Sequence, residues 1–87
     1  MPAEHLEVAL LTPERPVFRG PADFVVAPAW DGEVGILRGH APMVVLLGTG
    51  ELRVRRGSAE EQFHVSGGVL EVRGDVVTIL TEHAEPA

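Results

Sequence analysis

The feature that most constrains the fold of this chain is the regular spacing of its glycine and proline residues. Short runs rich in β-branched residues are separated by glycine and proline about every ten residues. No window of useful length places apolar residues at the 3.6-residue spacing of an amphipathic helix. The pattern therefore predicts an all-β protein, and 87 residues leave room for one domain only, residues 1–87.

Individual strands can be placed from the alternation of apolar and polar residues. In residues 51–55, Leu52 and Val54 face one way and the charged residues the other, as a half-buried strand requires. The same argument predicts strands at residues 6–10, 23–27, 62–66, 69–73 and 76–81. Glycines 57 and 74 lie where tight reversals are needed, so residues 51–81 are interpreted as an antiparallel meander, with a bulge or sharp bend at Gly67-Gly68.

The prolines fit the same plan. Pro13, Pro16, Pro21 and Pro28 are predicted at strand ends, where a missing N–H does least harm to a ladder. Seven to ten short strands with this alternation favour two sheets packed face to face or a flattened barrel.

Composition excludes several function classes. The chain has no cysteine, so it can form neither a disulfide nor a thiolate metal site. Its net charge of −6 argues against nucleic acid as a partner, because binding to phosphates needs clustered cations. No stretch approaches the ~20 apolar residues of a membrane span, and residues 1–9 do not resemble a signal peptide, so we expect a soluble, unexported chain.

The sequence offers no recognisable catalytic or metal-binding constellation. The four histidines, His5, His40, His64 and His83, are not spaced to share a metal ion. A P-loop is impossible because the chain has no lysine, and Ser58 and Ser66 lack a nucleophile elbow. Adjacent strand residues point to opposite faces, so Glu60 and Glu61 cannot act as paired carboxylates. We expect no enzymatic activity, no metal and no cofactor.

The longest stretch that is neither simple alternation nor simple turn is residues 29–42. Asp31-Gly32 is a good hairpin turn, and most other residues there can serve as core or as a rigid loop. Trp30, Glu33 and His40 fit that structural role poorly. Rigid loops that carry bulky or charged groups often serve recognition, so these three are candidate partner-binding residues.

Several motifs in this order resemble the N-terminal β-domain of the epsilon subunit of F-type ATP synthases. They are His5-Leu6-Glu7-Val8, Val17-Phe18-Arg19-Gly20, Asp31-Gly32-Glu33-Val34-Gly35-Ile36-Leu37, Gly39-His40-Ala41-Pro42, Ser66-Gly67-Gly68-Val69-Leu70-Glu71-Val72 and the run from Val76 through Thr78, Ile79 and Leu80. Ordered motifs at consistent spacing are more specific than any one of them alone.

The resemblance implies a flattened ten-stranded β-sandwich in the central stalk. Such a subunit is not catalytic itself; it grips the gamma subunit, rests on the ring of c subunits and couples proton flow to ATP synthesis. It is peripheral to the cytoplasmic face of the bacterial inner membrane, without direct insertion. The matching positions imply that Glu33 faces the polar loops of the c ring and that His40 and Ser66 lie toward gamma. Trp30 replaces a residue that is often small or polar, and we expect it to add apolar contact at the ring-facing end.

Family members usually continue into a pair of C-terminal helices, and the sequence ends where that region would begin. We therefore expect this polypeptide neither to bind ATP appreciably nor to inhibit hydrolysis through a helical arm. Two alternatives remain open. One is a stand-alone binder of a small ligand held between the sheets, and the other is an adaptor that adds a strand to a partner through an exposed sheet edge.

Overall fold

The fold is built entirely from strands. The computed structural model describes residues 4–87, and these form eight β-strands and no helix. The strands are β1 Leu6–Leu11, β2 Pro16–Ala22, β3 Phe24–Ala29, β4 Gly32–Leu37, β5 Met43–Arg56, β6 Ala59–Arg73, β7 Val76–Leu80 and β8 Ala84–Pro86. The all-β prediction is confirmed. The assignment of residues 1–87 to a single domain stays a prediction, and its first three residues lie outside the described ones.

All eight strands belong to one hydrogen-bonded sheet. Seven of them follow the order β2-β1-β7-β6-β5-β3-β4, and β8 pairs with β6 beside this path. The pair β1–β7 is parallel and the other pairs are antiparallel. The two long strands, β5 and β6, pair from Met43↔Val72 to Arg56↔Ala59. Their pairing is interrupted once, between Leu47↔Gly68 and Thr49↔Ser66, where both strands bend.

This bend divides the sheet into two layers. The first half of β5 and the second half of β6 join β7, β1 and β2 in layer one. The other halves of β5 and β6 join β3, β4 and β8 in layer two. The expected number of ten strands is reached only if β5 and β6 are each counted once per layer, because each is a single continuous strand in the structure.

The core lies between the two layers. Leu6 and Leu10 of layer one and Leu52 and Val65 of layer two belong to one cluster and are completely buried. The rings of Phe18 and Phe63 also meet across the layers, with centroids 5.7 Å apart and planes tilted by 56°. Burial of each such aliphatic side chain contributes about 1.5–3 kcal/mol, so this cluster supplies most of the driving force for closing the sandwich.

The bend at Gly67-Gly68 and the antiparallel meander around it were both predicted correctly. Both glycines have positive φ, 66° and 120°. Residues 62–66 and 69–73 lie on either side of the bend in one strand, β6, and so do not pair with each other. Residues 51–81 thus form a meander of three strands, because the segments predicted at 62–66 and 69–73 are two parts of β6.

Two of the four prolines lie inside strands, contrary to prediction. Pro16 begins β2 as expected, but Pro21 is within β2 and Pro28 is within β3. β2 is an edge strand, which tolerates a missing donor. Pro28 falls where the β3–β5 register shifts, between Val26 and Ala29, so no regular ladder bond is lost there.

Candidate functional site

The outward face of layer one carries a cluster of large apolar side chains. Cross-strand register places Leu46, Val69, Leu80 and Leu11 in one row across four strands. Trp30 joins the end of this row, because its backbone N–H donates to the carbonyl of Leu46 at 3.0 Å. We call Trp30, Val44, Leu46, Val69, Leu80 and Leu11 the apolar face.

Several members of the apolar face are strongly exposed. Trp30 and Val44 are each 69% exposed, Leu46 is 60% exposed and Leu80 is 51% exposed. Single exposed apolar side chains are ordinary on protein surfaces, but a cluster of large ones marks an interaction site. The arrangement can bury apolar area against a partner.

The sequence explains how this face arises. β5 begins with five consecutive apolar residues, Met43 to Leu47. Side chains of a strand alternate between faces, so when Met43, Val45 and Leu47 turn toward the core, Val44 and Leu46 must point to solvent. The sequence pattern did not indicate that these two side chains would be exposed. An unbroken apolar run in a chain too short to cover both sheet faces was the signal that could have revealed them.

An open cleft of about 260 Å³ lies at the bend end of this face, the end that contains Gly48, Gly67 and Gly68. Its lining comprises Leu11, Thr12, Pro13, Gly68, Leu80, Thr81 and Glu82. A second open cleft, of about 250 Å³, lies between β2 and the β5–β6 hairpin. Both are large enough to receive a side chain of a partner.

The hairpin between β3 and β4 presents Trp30 and Glu33. Gly32 has φ +140°, which lets the chain reverse through Trp30 and Asp31 alone. The Glu33 carboxylate is 67% exposed and lies 3.5 Å from the Arg53 guanidinium. A reversal occurs where one was predicted, but its two central residues are Trp30 and Asp31 rather than Asp31 and Gly32. It holds the Trp30 and Glu33 side chains out to solvent.

His40 lies at the opposite end of the sandwich from the bend. Its N–H donates to the Leu37 carbonyl at 3.1 Å, and its ring Nδ1 is 2.7 Å from the Ala41 carbonyl oxygen. The neighbouring Gly39 N–H donates to Asp75 at 2.9 Å, which ties this loop to the β6–β7 turn.

Ser66, by contrast, is half-buried at the bend, where it pairs with Thr49. Its N–H donates to the His83 carbonyl at 3.2 Å. The structure thus brings Trp30 and Ser66 to one end and leaves His40 at the other. The four predicted partner-binding residues do not form one patch.

Side chains able to support other chemistry are dispersed. Among residues 4–87, no three histidine, aspartate or glutamate side chains come together to hold a metal ion. Ser58 is in the β5–β6 turn, and Glu60 and Glu61 lie on adjacent positions of β6. The described part of the chain also contains no helix long and apolar enough to cross a membrane.

Comparison with known proteins gives the family. Residues 5–87 match the family described as ATP synthase, Delta/Epsilon chain, beta-sandwich domain. The chain belongs to this family. The resemblance seen in the sequence is therefore confirmed, and the eight strands described above are a Delta/Epsilon-type β-sandwich.

Relatives of this family member are named ATP synthase epsilon chain. The epsilon chain of Anoxybacillus flavithermus is 48% identical over 94% of this chain, and that of Leptospira borgpetersenii is 41% identical over 93%. The matched regions cover 61% and 64% of those relatives, so the chain spans about three fifths of the length of the curated relatives it matches.

Solved structures show the same fold. A chain in the Euglena gracilis mitochondrial ATP synthase structure, described as OSCP/F1/c-ring, superimposes with a TM-score of 0.91 at 28% identity, covering 99% of this chain and 56% of that one. A chain in the Tetrahymena thermophila central stalk/c-ring structure gives a TM-score of 0.79 at 17% identity, covering 98% and 69%, a likeness of fold alone.

Proposed function

We propose that this chain is a non-catalytic rotor component of an F-type ATP synthase, which docks on the gamma subunit and the c ring and couples proton translocation to ATP synthesis. The observation that carries the proposal is the apolar face, presented by a member of the Delta/Epsilon family. A surface of this kind is suited to lasting association with protein, since the centre of a stable interface is depleted in charge and rich in large apolar side chains.

The charge of the chain supports protein over other partners. A net charge of −6 disfavours phosphate backbones and anionic lipid surfaces alike. The exposed ion pair Arg73–Glu71, at 3.6 Å, lies beside Val44 on the outward face of layer one, as part of a polar rim would. We place the protein at the cytoplasmic face of the bacterial inner membrane, held there through the complex.

The positions of the four partner-binding candidates constrain how the proposed partners would lie. Trp30 and Glu33, on the β3–β4 hairpin, would meet the c ring. His40 and Ser66 would meet gamma, yet they lie at opposite ends of the sandwich. A gamma subunit that contacts both must therefore run along the length of the sandwich rather than cap one end.

A small-ligand binder is less well supported. Both clefts are open to solvent, and each lining mixes apolar residues with a few polar or charged ones, Thr12, Thr81 and Glu82 in the first and Arg19, Arg56 and Glu61 in the second. A ligand site normally encloses most of its ligand and converges a few polar groups on it.

Reconstitution tests the proposal. The chain is mixed with its cognate gamma subunit and analysed by size exclusion, then added to membranes whose ATP synthase lacks this subunit. We expect a stable complex and recovery of ATP-driven proton pumping relative to ATP hydrolysis. A chain that stays monomeric and restores no pumping would contradict the proposal, and a co-purifying small molecule would favour the ligand-binding alternative.

A further inference from the structure

The two-layer fold leaves four free sheet edges in the described chain, and three of them are protected. β2 carries Pro16, Pro21 and Arg19 and has a register shift opposite Leu10 and Leu11. β8 is three residues long and includes Glu85 and Pro86. β4 carries a charge and two glycines. Proline, charge, bulges and shortness are the usual devices that stop a free edge from pairing with another chain.

The fourth edge has none of these devices. It is the first half of β5, Met43 to Leu47, which contains no charge, no proline and no glycine. Among the described residues, β6 pairs with all five of them on one side. On the other side β3 reaches only Leu47, and Trp30 reaches only the carbonyl of Leu46.

Backbone groups along this edge point away from the sheet. The Leu46 carbonyl faces Trp30 and not β6, so by the alternation of an antiparallel ladder the N–H of Leu46 and both backbone groups of Val44 face the same way. Val45 and Leu47 then hydrogen-bond to β6. These outward N–H and C=O groups have the spacing of a strand ladder, so an added strand can hydrogen-bond to them.

Side chains on both faces of this edge are also only partly covered. Val44 is 69% exposed on the outer face, while Met43 and Val45 pack against the core and remain half-buried on the inner face. On the neighbouring strand, Glu71 and Arg73 neutralise each other at 3.6 Å. An incoming segment therefore meets apolar side chains on both faces and no net charge.

We propose that this edge, Met43 to Val45 with the N–H of Leu46, receives an extended, uncharged segment of a partner protein, which extends layer one by one strand. The partner is the gamma subunit, a step that rests on the proposed function. Strand addition fixes the register and direction of the partner, which contact with an apolar face alone would not.

Amide hydrogen exchange tests this in the intact chain, free and mixed with purified gamma. The amides of Val44 and Leu46 exchange fast in the free protein and slow by at least about tenfold in the complex, while the Val45 amide is protected in both. A complex without protection at Val44 and Leu46 overturns strand addition and leaves the proposed function standing. Absence of any complex refutes the proposed function, and this inference with it.

Variants separate hydrogen bonding from apolar contact. Val44→Pro keeps an apolar side chain but removes the outward N–H. Val44→Ala keeps the N–H but removes most of the apolar side chain. Strand addition predicts a loss of about tenfold or more in affinity for gamma in Val44→Pro and a smaller loss in Val44→Ala. The opposite ranking contradicts it. Arg19→Pro, at an outward-facing position of the protected β2 edge, is the control, and it should stay folded and bind normally.

Discussion

Gly68 packs directly against the carbonyl of Leu80, so that a β-carbon at residue 68 would clash with that oxygen and lie 2.9 Å from the Thr81 Cα. The contact lets β6 bend between the two layers while the end of β7 passes beside it. Neither strand can move away without disrupting the layer to which it belongs.

Replacing Gly68 with alanine should therefore destabilise the fold strongly. The clash is with backbone, and φ of +120° is strained for any L-residue, so we expect a loss of about 3 kcal/mol or more in urea unfolding. Gly67→Ala is the matched control. Its φ is +66° with nothing within 4 Å of the added carbon, so it should cost only about 1–2 kcal/mol. Equal losses would contradict the packing explanation.

The Thr81 hydroxyl stabilises the same bend by hydrogen bonding. Thr81 is 4% exposed, and its hydroxyl lies 2.6 Å from the Gly67 carbonyl and within 3.3 Å of the Ser66 and His83 carbonyls. Thr81→Val keeps the shape but leaves these carbonyls without the hydroxyl, so we expect about 1–3 kcal/mol of destabilisation in urea unfolding. Thr81→Ser keeps the donor and should lose clearly less. A variant with valine that is as stable as one with serine would contradict this role.

Much of the fold could be predicted from local patterns. Alternation located the strands because one face of each is buried, and Gly67-Gly68 located the bend because only glycine adopts those φ values cheaply. The pattern did not show that residues 62–66 and 69–73 form one strand, because β6 passes through the bend and continues in the other layer. A bend and a reversal carry the same glycine signal, and only pairing across the whole sheet distinguishes them.

The candidate site was harder to predict. Trp30 and Glu33 stood out because a tryptophan and a carboxylate beside a tight turn have no obvious structural role. Val44 and Leu46 did not stand out, because a run of apolar residues has the same pattern in a fully buried strand. Their exposure depends on which strands cover layer one, and that is a property of the assembled sheet.

The pKa of Glu60 should respond to its neighbour. A hydrogen bond from the Gln62 amide at 2.8 Å lowers the pKa of this carboxyl, and the charge of Arg55 adds to the effect. Gln62→Ala should raise the pKa of Glu60, measured by NMR titration of its carboxyl carbon. Glu61→Gln, on the opposite face of β6, should leave the pKa of Glu60 unchanged.

The sign of the linked stability effect follows from the lowered pKa. Ionised Glu60 stabilises the fold at pH values above the pKa of the unfolded chain, and this contribution disappears as pH falls through the folded pKa. The part of the Gln62→Ala destabilisation that is linked to ionisation should thus be present at neutral pH and vanish in acid. A pH-independent difference in urea unfolding would contradict the linkage.

If the protein docks through the apolar face, a substitution there should weaken binding to gamma without destabilising the fold. Leu46→Ser should change the free energy of unfolding by less than about 0.5 kcal/mol, because the side chain is already 60% exposed. Its affinity for gamma, measured by calorimetry, should fall about tenfold. Leu37→Ser is the matched control, since Leu37 is 59% exposed on layer two and should bind normally. Equal losses of affinity would show that docking does not depend on the apolar face.

Charge reversal at Glu33 tests the proposed end facing the c ring. The pair with Arg53 is exposed at 3.5 Å and contributes about 0–1 kcal/mol, so Glu33→Lys should leave the fold nearly as stable. If the carboxylate meets polar loops of the ring in a desolvated contact, the variant should weaken that contact by about 1–3 kcal/mol. ATP-driven proton pumping in membranes should then fall relative to ATP hydrolysis.

Arg53→Gln breaks the same ion pair but keeps the Glu33 charge, so it should pump normally. Normal pumping by Glu33→Lys would remove Glu33 from the interface, whereas a matching defect in Arg53→Gln would mean that the ion pair itself shapes the hairpin.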